Sequence, residues 1–420
     1  MNKEELYILK RRMKALCNSM CFYLCRVFPV DKKLVSVCTF EGKGGFGCNP
    51  KYVVEKLHEM DESIKFVWFV NENVWEKEFP DYIQKVPNTL WSRAYWLSKS
   101  KVWIDNYRKP FGTVKRRNQY YVNTNHYTLG IKTVGLWRGK GFSKMAYLVS
   151  KNDSDMIDDL IIDSKFCELN SPKGLVYNGH CLKTGAPRCD VLYGDRTEKK
   201  REYRRRNNLP EDAKILLFAP TFREGAKDGK RFVYSELWSI DFKRLIDNLE
   251  KRFGGTWYIC FRVHPQLAAG FDDYDNPDIR GRVLNESQAD DMYEIMAAMA
   301  AYMTDYSSAC FEAGFTKMPV FIYADDIQQY EKDRGALYWN MATEDKSDIR
   351  CNQDIFTGEE WLFPFPVATN NDELEENVLG FDSAVYEKRL ESFHNDIGLV
   401  FDGKASNKIA DRIIERLHES

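Results

Sequence analysis

Short runs of continuously apolar residues recur along this chain and are separated by segments with helical periodicity. The runs lie at 34–40, 65–70, 101–105, 119–124, 214–219, 256–262, 281–284, 300–304 and 319–323. Strands that are apolar on both faces are typical of parallel sheets covered by helices on both sides. Candidate helices lie between the runs, for example at 51–59 and 290–299. This alternation predicts an α/β protein built from doubly wound, Rossmann-like sheets.

The chain has 420 residues, whereas a single domain has roughly 100–200. The stretch at 190–212 is highly charged and contains Pro210, so we place the domain break there. Its basic cluster is either a solvated helix face or a surface for anionic lipid or polymer. The predicted segments are an N-terminal helix (1–30), a first Rossmann-like domain (31–195), a second one (207–384), and a C-terminal helix (385–420) that packs back on the first domain.

Charge and cysteine content exclude several classes of protein. The formal net charge of −2 gives no support for a nucleic-acid partner, and the hydrophobic content of 44% argues against disorder. The eleven cysteines lack paired C-x-x-C spacing, which favours a reducing compartment over a disulfide-stabilised secreted protein. We therefore expect a cytoplasmic protein.

The N-terminal segment 5–28 combines basic residues with an apolar stripe at helical spacing. The stripe consists of Leu6, Leu9, Met13, Leu16, Met20 and Leu24, and the nearby basic residues are Lys10, Arg11, Arg12 and Lys14. A helix of this kind either lies on an anionic membrane or packs on its own domain, and the sequence leaves both open. On a membrane, the protein would be peripheral on the inner face.

Polar residues follow the strands of the second half, where ligands of open α/β sheets bind. They are Arg223, Arg262, His264, Asp305, Ser307 and Ser308, with Arg334 further along the chain. Arginine side chains match phosphate oxygens, and a helix N-terminus offers free N–H groups. This set predicts a site for a phosphate-bearing ligand, with the two serines at the start of a short helix at about 308–316. A plain helix cap is the alternative for either serine.

The first half has its own candidate in His126, one of six histidines in the chain, which follows the strand at 119–124. A histidine at a strand end and facing a cleft favours acid–base or phosphate chemistry. The glycine-rich stretch at 41–50, which includes Gly44 and Gly45, lacks G-x-G-x-x-G spacing and predicts a flexible loop. No motif indicates a protein-bound metal or cofactor, and a need for Mg²⁺ stays open.

Several motifs together resemble the CDP-glycerol glycerophosphotransferase family of teichoic-acid and capsule synthesis. They are FEGKGGFGCNPKYVVEKL, TGAPRCDVL, APTFRE, FRVHP, TDYSS with PVFIY, and YEKDRG, in a consistent order from about residue 34 to about 380. The resemblance implies two Rossmann-like domains like those of GT-B glycosyltransferases. It also implies a CDP-polyol donor in the C-terminal domain and a glycan or lipid-linked acceptor on the N-terminal side. The implied reaction transfers a polyol phosphate to an acceptor hydroxyl and releases CMP.

The resemblance also implies roles for single residues. His126 matches the family's general base, His264 with Arg262 is expected near the diphosphate, and Ser307 and Ser308 match phosphate-binding serines. Further donor-site candidates are Arg223, Asp305 and Arg334. The acceptor-side candidates are Gly44, Gly45, Tyr127 and Lys132.

One departure from the family pattern lies beside His126. Asn125 and Tyr127 stand where the family has tryptophan and glycine, which leaves the polyol and the acceptor open. Two alternatives remain at this point. One is a GT-B glycosyltransferase that uses a nucleotide sugar, and the other is a catalytically inactive relative that binds glycan or membrane.

Overall fold

The chain divides into two compact units, and each contains one parallel sheet. Unit 1 comprises Met1–Thr128, Val134–Asp190 and Leu399–Ser420, and unit 2 comprises Leu129–Thr133 and Val191–Gly398. The computed structural model describes residues 3–221, 223–227, 230–234, 239–263 and 277–419, with the backbone alone at 223–227 and 230–234.

Unit 1 has seven parallel strands among its described residues, in the order β3-β2-β1-β4-β5-β6-β7. The strands are β1 (Asp31–Cys38), β2 (Lys65–Val70), β3 (Ile83–Pro87), β4 (Ser100–Asp105), β5 (Tyr120–Asn123), β6 (Asp159–Ile162) and β7 (His180–Lys183). The helices are α1 (Lys3–Leu24), α2 (Cys48–Met60), α3 (Leu90–Lys99), α4 (Lys144–Ser154), α5 (Lys165–Gly174) and, from the end of the chain, α13 (Ala405–His418).

The continuous apolar runs arise because both faces of this sheet are covered. In β2, Trp68 packs in a core that also contains residues of α2 and α13. Its neighbours Val67 and Phe69 point to the opposite face and pack in a second core with residues of α1 and α3. Successive side chains of a strand alternate between faces, so a strand buried on both faces is apolar throughout.

Unit 2 has a six-stranded parallel sheet in the order β12-β11-β8-β13-β14-β15 and an antiparallel pair, β10-β9, within the described ranges. Its strands are β8 (Ala213–Phe218), β9 (Arg223–Lys227), β10 (Lys230–Tyr234), β11 (Thr256–Phe261), β12 (Val283–Asn285), β13 (Ala301–Thr304), β14 (Val320–Tyr323) and β15 (Val367–Ala368). Its helices are α6 (Thr197–Arg206), α7 (Phe242–Phe253), α8 (Met292–Ala297), α9 (Ala309–Gly314), α10 (Ile327–Arg334), α11 (Asn371–Leu379) and α12 (Ser383–Asp396). The predicted α/β class with two doubly wound parallel sheets is confirmed.

The last helix of the chain, α13, is fixed to unit 1 at its start. Both carboxylate oxygens of Asp190 accept backbone hydrogen bonds there, from the N–H of Ala405 at 3.0 Å and of Ser406 at 2.8 Å. Lys404, at the N-cap position, makes no side-chain capping bond of its own. Asp190 therefore caps this helix from a distant part of the sequence.

Replacing Asp190 with alanine should lower the free energy of unfolding by about 1–2 kcal/mol, because two N–H groups of the first turn lose their acceptor. Urea unfolding followed by circular dichroism measures this difference. Asp411→Ala, an acidic side chain further along the same helix and exposed to solvent, is the matched control. An equal loss in both variants would contradict the capping role.

Candidate active site

In unit 1, His126 lies just beyond the carboxyl ends of β4 and β5 and is oriented by a backbone carbonyl. Its Nδ1 is 3.0 Å from the carbonyl oxygen of Asn106. A carbonyl only accepts hydrogen bonds, so Nδ1 carries the proton and Nε2 keeps a lone pair. The phenyl ring of Phe40 packs edge-on against the imidazole, with a centroid distance of 5.6 Å. This tautomer suits a group that accepts a proton at Nε2.

The surroundings of His126 keep its imidazole neutral. Burial lowers the pKa of His126 to about 4, and the nearby guanidinium groups of Arg188 and Arg108 act in the same direction. The hydrogen bond to Asn106 opposes these effects in part. At neutral pH the ring is therefore unprotonated at Nε2, as a general base must be before it takes a proton.

Side chains from outside the turn hold the backbone around His126. Asn125 adopts φ 51°, in the left-handed region that asparagine tolerates better than most residues. Asn49 Nδ2 donates to the carbonyls of Thr124 at 2.8 Å and Asn125 at 2.9 Å. Arg188 Nη1 donates to the carbonyl of His126 at 2.6 Å. Asn125, which departs from the family pattern, thus occupies a position with a specific backbone requirement.

Tyr127, the second departure from that pattern, is half-buried and packs against the imidazole that it follows. The centroids of the Tyr127 and His126 rings are 5.1 Å apart, with the rings nearly perpendicular. The added bulk at this position therefore lies against the candidate base.

The glycine-rich loop beside His126 follows a defined and strained path. Phe40 and Glu41 have φ of 47° and 57°, and such conformations cost on the order of 1–3 kcal/mol each for non-glycine residues. A Cβ on Gly44 would lie 2.7 Å from Thr39 Oγ1, so glycine is required there. The carbonyl of Gly45 accepts a hydrogen bond from the same Thr39 hydroxyl at 3.3 Å. Strain of this kind is concentrated at functional sites.

In unit 2, Asp305 connects two loops that follow adjacent strands. Its Oδ1 accepts hydrogen bonds from the N–H of Thr221, after β8, at 2.8 Å and from the N–H of Tyr306, after β13, at 2.5 Å. Tyr306 is itself fixed, because its hydroxyl donates to Asp326 at 2.8 Å and its ring stacks on Tyr330 at 3.8 Å. Asp305 therefore holds the loops after β8 and β13 together.

Ser307 and Ser308 lie half-buried at the start of α9, as predicted. Ser308 occupies the N-cap position, yet its side chain makes no capping hydrogen bond. Ser307 Oγ accepts a long hydrogen bond, 3.4 Å, from the N–H of Ala309. Helix capping therefore does not account for Ser308 and accounts only weakly for Ser307.

The remaining donor-site candidates differ in how they are placed. Arg262 follows β11, and its Nη1 donates to the carbonyl of Glu286 at 2.6 Å. Burial lowers the pKa of Arg262, while the carboxylate of Asp291 opposes this change. Arg334 ends α10 and is half-exposed. Arg223 begins β9 in a segment described by its backbone only, and His264 lies outside the described residues.

Lys132 lies in unit 2, although His126 and Tyr127, from the same stretch of sequence, lie in unit 1. It pairs with Leu337 in an isolated antiparallel bridge. Its Nζ is 3.5 Å from Thr221 Oγ1. The backbone N–H of Thr221 in turn donates a hydrogen bond to Asp305 Oδ1. The structure thus places Lys132 beside the loop after β8, which Asp305 joins to the loop that carries the two serines.

The family model of CDP-Glycerol:Poly(glycerophosphate) glycerophosphotransferase matches residues 20–415 of this chain. The chain belongs to this family. The resemblance found in the motifs is therefore confirmed over almost the whole sequence.

Individual members of this glycerophosphotransferase family are similar to the chain at low identity. The teichoic acid poly(glycerol phosphate) polymerase of Staphylococcus epidermidis is 26% identical over 402 residues, which make up 93% of this chain and 52% of that protein. This chain thus spans about half the length of that relative. The teichoic acid glycerol-phosphate transferase of Staphylococcus aureus is 25% identical over 400 residues, covering 92% of this chain and 94% of that protein.

The solved structure of the wall teichoic acid polymerase TagF matches with a TM-score of 0.75 at 24% identity and covers 98% of both chains. This likeness shows that the two chains share a fold. The predicted GT-B-like fold class is thereby confirmed.

Asn106 and Arg188 contact His126, but the sequence analysis of this chain did not identify either of them. Asn106 directly follows β4 in KVWIDN, and a search for polar residues at the carboxyl end of each strand, extended to the first half of the chain, would have found it. Arg188 lies in the motif TGAPRCDVL, but no strand or helix pattern assigns it to His126. Only the folded chain brings Arg188 to the His126 carbonyl.

The structure also bears on metal ions and membranes. Among the described residues there is no group of three or more His, Cys, Asp or Glu side chains that could hold a metal ion. No helix in the described ranges is long and apolar enough to cross a membrane.

Proposed function

We propose that this chain transfers a polyol phosphate, with glycerol phosphate as the first candidate, from a CDP-activated donor to a hydroxyl of a teichoic-acid-like acceptor, releasing CMP. The observation that carries the proposal is the family match over residues 20–415. The Staphylococcus aureus glycerol-phosphate transferase, matched over 94% of its own length, supports transfer of this kind.

In the proposed reaction the acceptor oxygen bonds to the polyol-linked phosphorus, and the bond from that phosphorus to the CMP oxygen breaks. His126 Nε2 takes the proton of the acceptor hydroxyl, since Nδ1 already donates to Asn106. Ser307, Ser308 and the N–H groups at the start of α9 bind phosphate oxygens. Phosphoryl transfer depends mainly on positioning and on stabilisation of developing charge, and such hydroxyl and N–H groups contribute both.

The decisive experiment incubates the protein with an oligo(glycerol phosphate) acceptor and, in separate reactions, CDP-glycerol, CDP-ribitol, UDP-glucose and UDP-N-acetylglucosamine. Chromatography detects the released nucleotide and the extended acceptor. CMP release with acceptor extension from a CDP-polyol supports the proposal. Release of UDP from sugar donors alone would replace it with glycosyl transfer, and no turnover with any donor would favour an inactive relative.

We also propose that α1 binds an anionic membrane surface, which makes the protein peripheral. The six residues of its apolar stripe, Leu6 to Leu24, are each between 42% and 63% exposed. The opposite face of α1 packs on unit 1 through Cys21 and Phe22. The stripe is therefore not used for packing within the described part of the chain, and basic side chains next to it suit anionic headgroups.

Replacing Met13, Leu16 and Met20 together with serine should weaken binding to vesicles that contain phosphatidylglycerol by about 100-fold, because roughly 1 kcal/mol of apolar burial is lost at each position. Cosedimentation measures the change. The unfolding temperature should stay close to that of the wild type, since all three side chains are exposed. Val385→Ser, at an apolar position that is 66% exposed on α12, is the control. Equal binding by both variants would reject the proposal.

A further inference from the structure

Asn106 has a buried donor that the free protein does not use. Its side chain is 0% exposed. The carbonyl of Asn106 accepts from His126 Nδ1, and its Oδ1 accepts from the N–H of Phe40 at 2.8 Å. No described residue accepts a hydrogen bond from Asn106 Nδ2. A buried donor without a partner is unfavourable, so this one requires an explanation.

The orientation of this side-chain amide is fixed by its other bond. If the amide were turned over, Nδ2 would face the N–H of Phe40, and two donors would oppose each other. Two other buried asparagines of unit 1, Asn49 and Asn123, use their amide donors. Asn49 Nδ2 donates to two carbonyls, and Asn123 Nδ2 donates to the hydroxyl of Tyr121 at 3.2 Å and to the carbonyl of Tyr107 at 3.4 Å.

A second polar side chain, close to His126 in the sequence, is also buried without a hydrogen-bond partner among the described residues. Thr128, two residues after His126, is 4% exposed. Its Oγ1 makes no hydrogen bond to any residue that the structure describes. Two such groups occur beside a histidine whose Nε2 keeps its lone pair, next to a loop with strained backbone at Phe40 and Glu41. This combination indicates a binding site for a polar molecule rather than a packed interior.

We propose that Asn106 Nδ2 donates a hydrogen bond to a hydroxyl oxygen of the acceptor polyol, and that Asn106 thereby selects and orients the acceptor. This inference rests on the proposed function. One residue then performs two tasks, because its backbone carbonyl sets the tautomer of His126 while its side chain holds the group from which that base takes a proton. The oxygen accepts from Nδ2 through one lone pair and gives its proton to His126 Nε2.

Two substitutions separate the donor from the loop contact. Asn106→Asp at pH 8 keeps Oδ1 for the N–H of Phe40 but replaces the donor with a carboxylate oxygen, whereas Asn106→Ala removes both groups. In both variants the KM for an oligo(glycerol phosphate) acceptor should rise about 10–100-fold, the effect of one lost hydrogen bond to a buried polar group. The KM for CDP-glycerol should change less than about threefold, a difference of under 1 kcal/mol.

Asn88→Ala is the matched control for the loop. Asn88 Nδ2 donates to the carbonyl of Glu41 at 2.6 Å, so its removal loosens the same loop while Asn106 stays intact. A wild-type acceptor KM in Asn106→Asp, or an equal rise in Asn88→Ala, would overturn the proposal.

A measurement without turnover separates this inference from the proposed function. The oligo(glycerol phosphate) should raise the unfolding temperature of the wild-type protein, because a ligand that binds only the folded state stabilises it. The shift should disappear in Asn106→Asp and persist in Asn88→Ala. If no donor supports turnover but this pattern holds, the proposed reaction fails and the binding role of Asn106 stands. An identical shift in the wild type and Asn106→Asp refutes the binding role whatever the reaction.

Discussion

Replacing His126 with alanine is expected to slow CMP release by about 10²–10⁴-fold, the usual contribution of a general base. The reason is the loss of Nε2, which the Asn106 carbonyl keeps in the proton-accepting tautomer. The KM for CDP-glycerol should change little, because the proposed donor-binding residues lie in unit 2. Steady-state kinetics with CDP-glycerol and an oligo(glycerol phosphate) acceptor provide both parameters.

A second histidine offers a matched control for this substitution. Burial lowers the pKa of His394, on α12, to about 4 as well, so it resembles His126 in its electrostatic surroundings. His394→Ala should leave turnover within about threefold of the wild type, less than 1 kcal/mol in activation free energy. Comparable losses in both variants would indicate a general effect of losing a buried imidazole.

The pH dependence of the reaction is set by the same group. The base acts only when unprotonated, and the pKa of His126 is lowered from 6.5 to about 4. The value of kcat/KM should therefore stay constant as the pH falls from 7 to about 5 and decline only as it approaches 4. An acid limb centred near pH 6.5 in the wild type would contradict the assignment, because it would mean an ordinary imidazole.

Replacing Ser307 and Ser308 together with alanine should lower kcat/KM for CDP-glycerol by about 10²–10⁴-fold. Each hydroxyl is expected to hydrogen-bond a charged phosphate, and such bonds contribute about 1.5–3 kcal/mol each. The free energy of unfolding should change by less than about 1 kcal/mol, since Ser308 makes no capping bond and the bond at Ser307 is long. Kinetics and urea unfolding of the same variant test both statements.

Ser143 is a suitable control because, unlike Ser308, its side chain does cap a helix. Its hydroxyl accepts from the N–H of Ala146 at 3.2 Å and caps α4. Ser143→Ala should lower the free energy of unfolding by about 1 kcal/mol without changing turnover. If the Ser307/Ser308 double variant lost stability rather than activity, the two serines would be caps after all.

The strands that the sequence revealed are those with continuous apolar runs, because they are covered on both faces. The missed strands lack that pattern. β3 and β7 are edge strands of the unit 1 sheet, and partial exposure permits polar residues such as Gln84 and Lys183. β6 has only four residues and begins with an aspartate, Asp159. Only Leu160, Ile161 and Ile162 are apolar in this strand, fewer than the four consecutive apolar residues that indicate a buried strand.

The sequence predicted the candidate-site residues that directly follow the carboxyl ends of parallel strands. Ser307, Ser308 and His126 each come soon after a buried strand, and the ends of parallel strands are where ligands bind. Arg188 was not predictable, because its contact with the carbonyl of His126 joins segments 62 residues apart in the chain. Lys132 was expected with the acceptor, but only the fold reveals that the chain enters unit 2 at Leu129.

Unit 1 contains segments that lie far apart in the sequence, and this affects how it folds during translation. Ile409, Ile413 and Leu417 of α13 belong to the same core as Val35, Trp68 and other residues of the sheet. Until these residues of α13 have emerged from the ribosome, α2 alone cannot complete the cover of that face of the sheet, although strands β1 to β7 have already been made. Unit 2, whose final segment ends at Gly398, can complete its core earlier. For much of translation the nascent chain therefore exposes an apolar surface that a chaperone could bind.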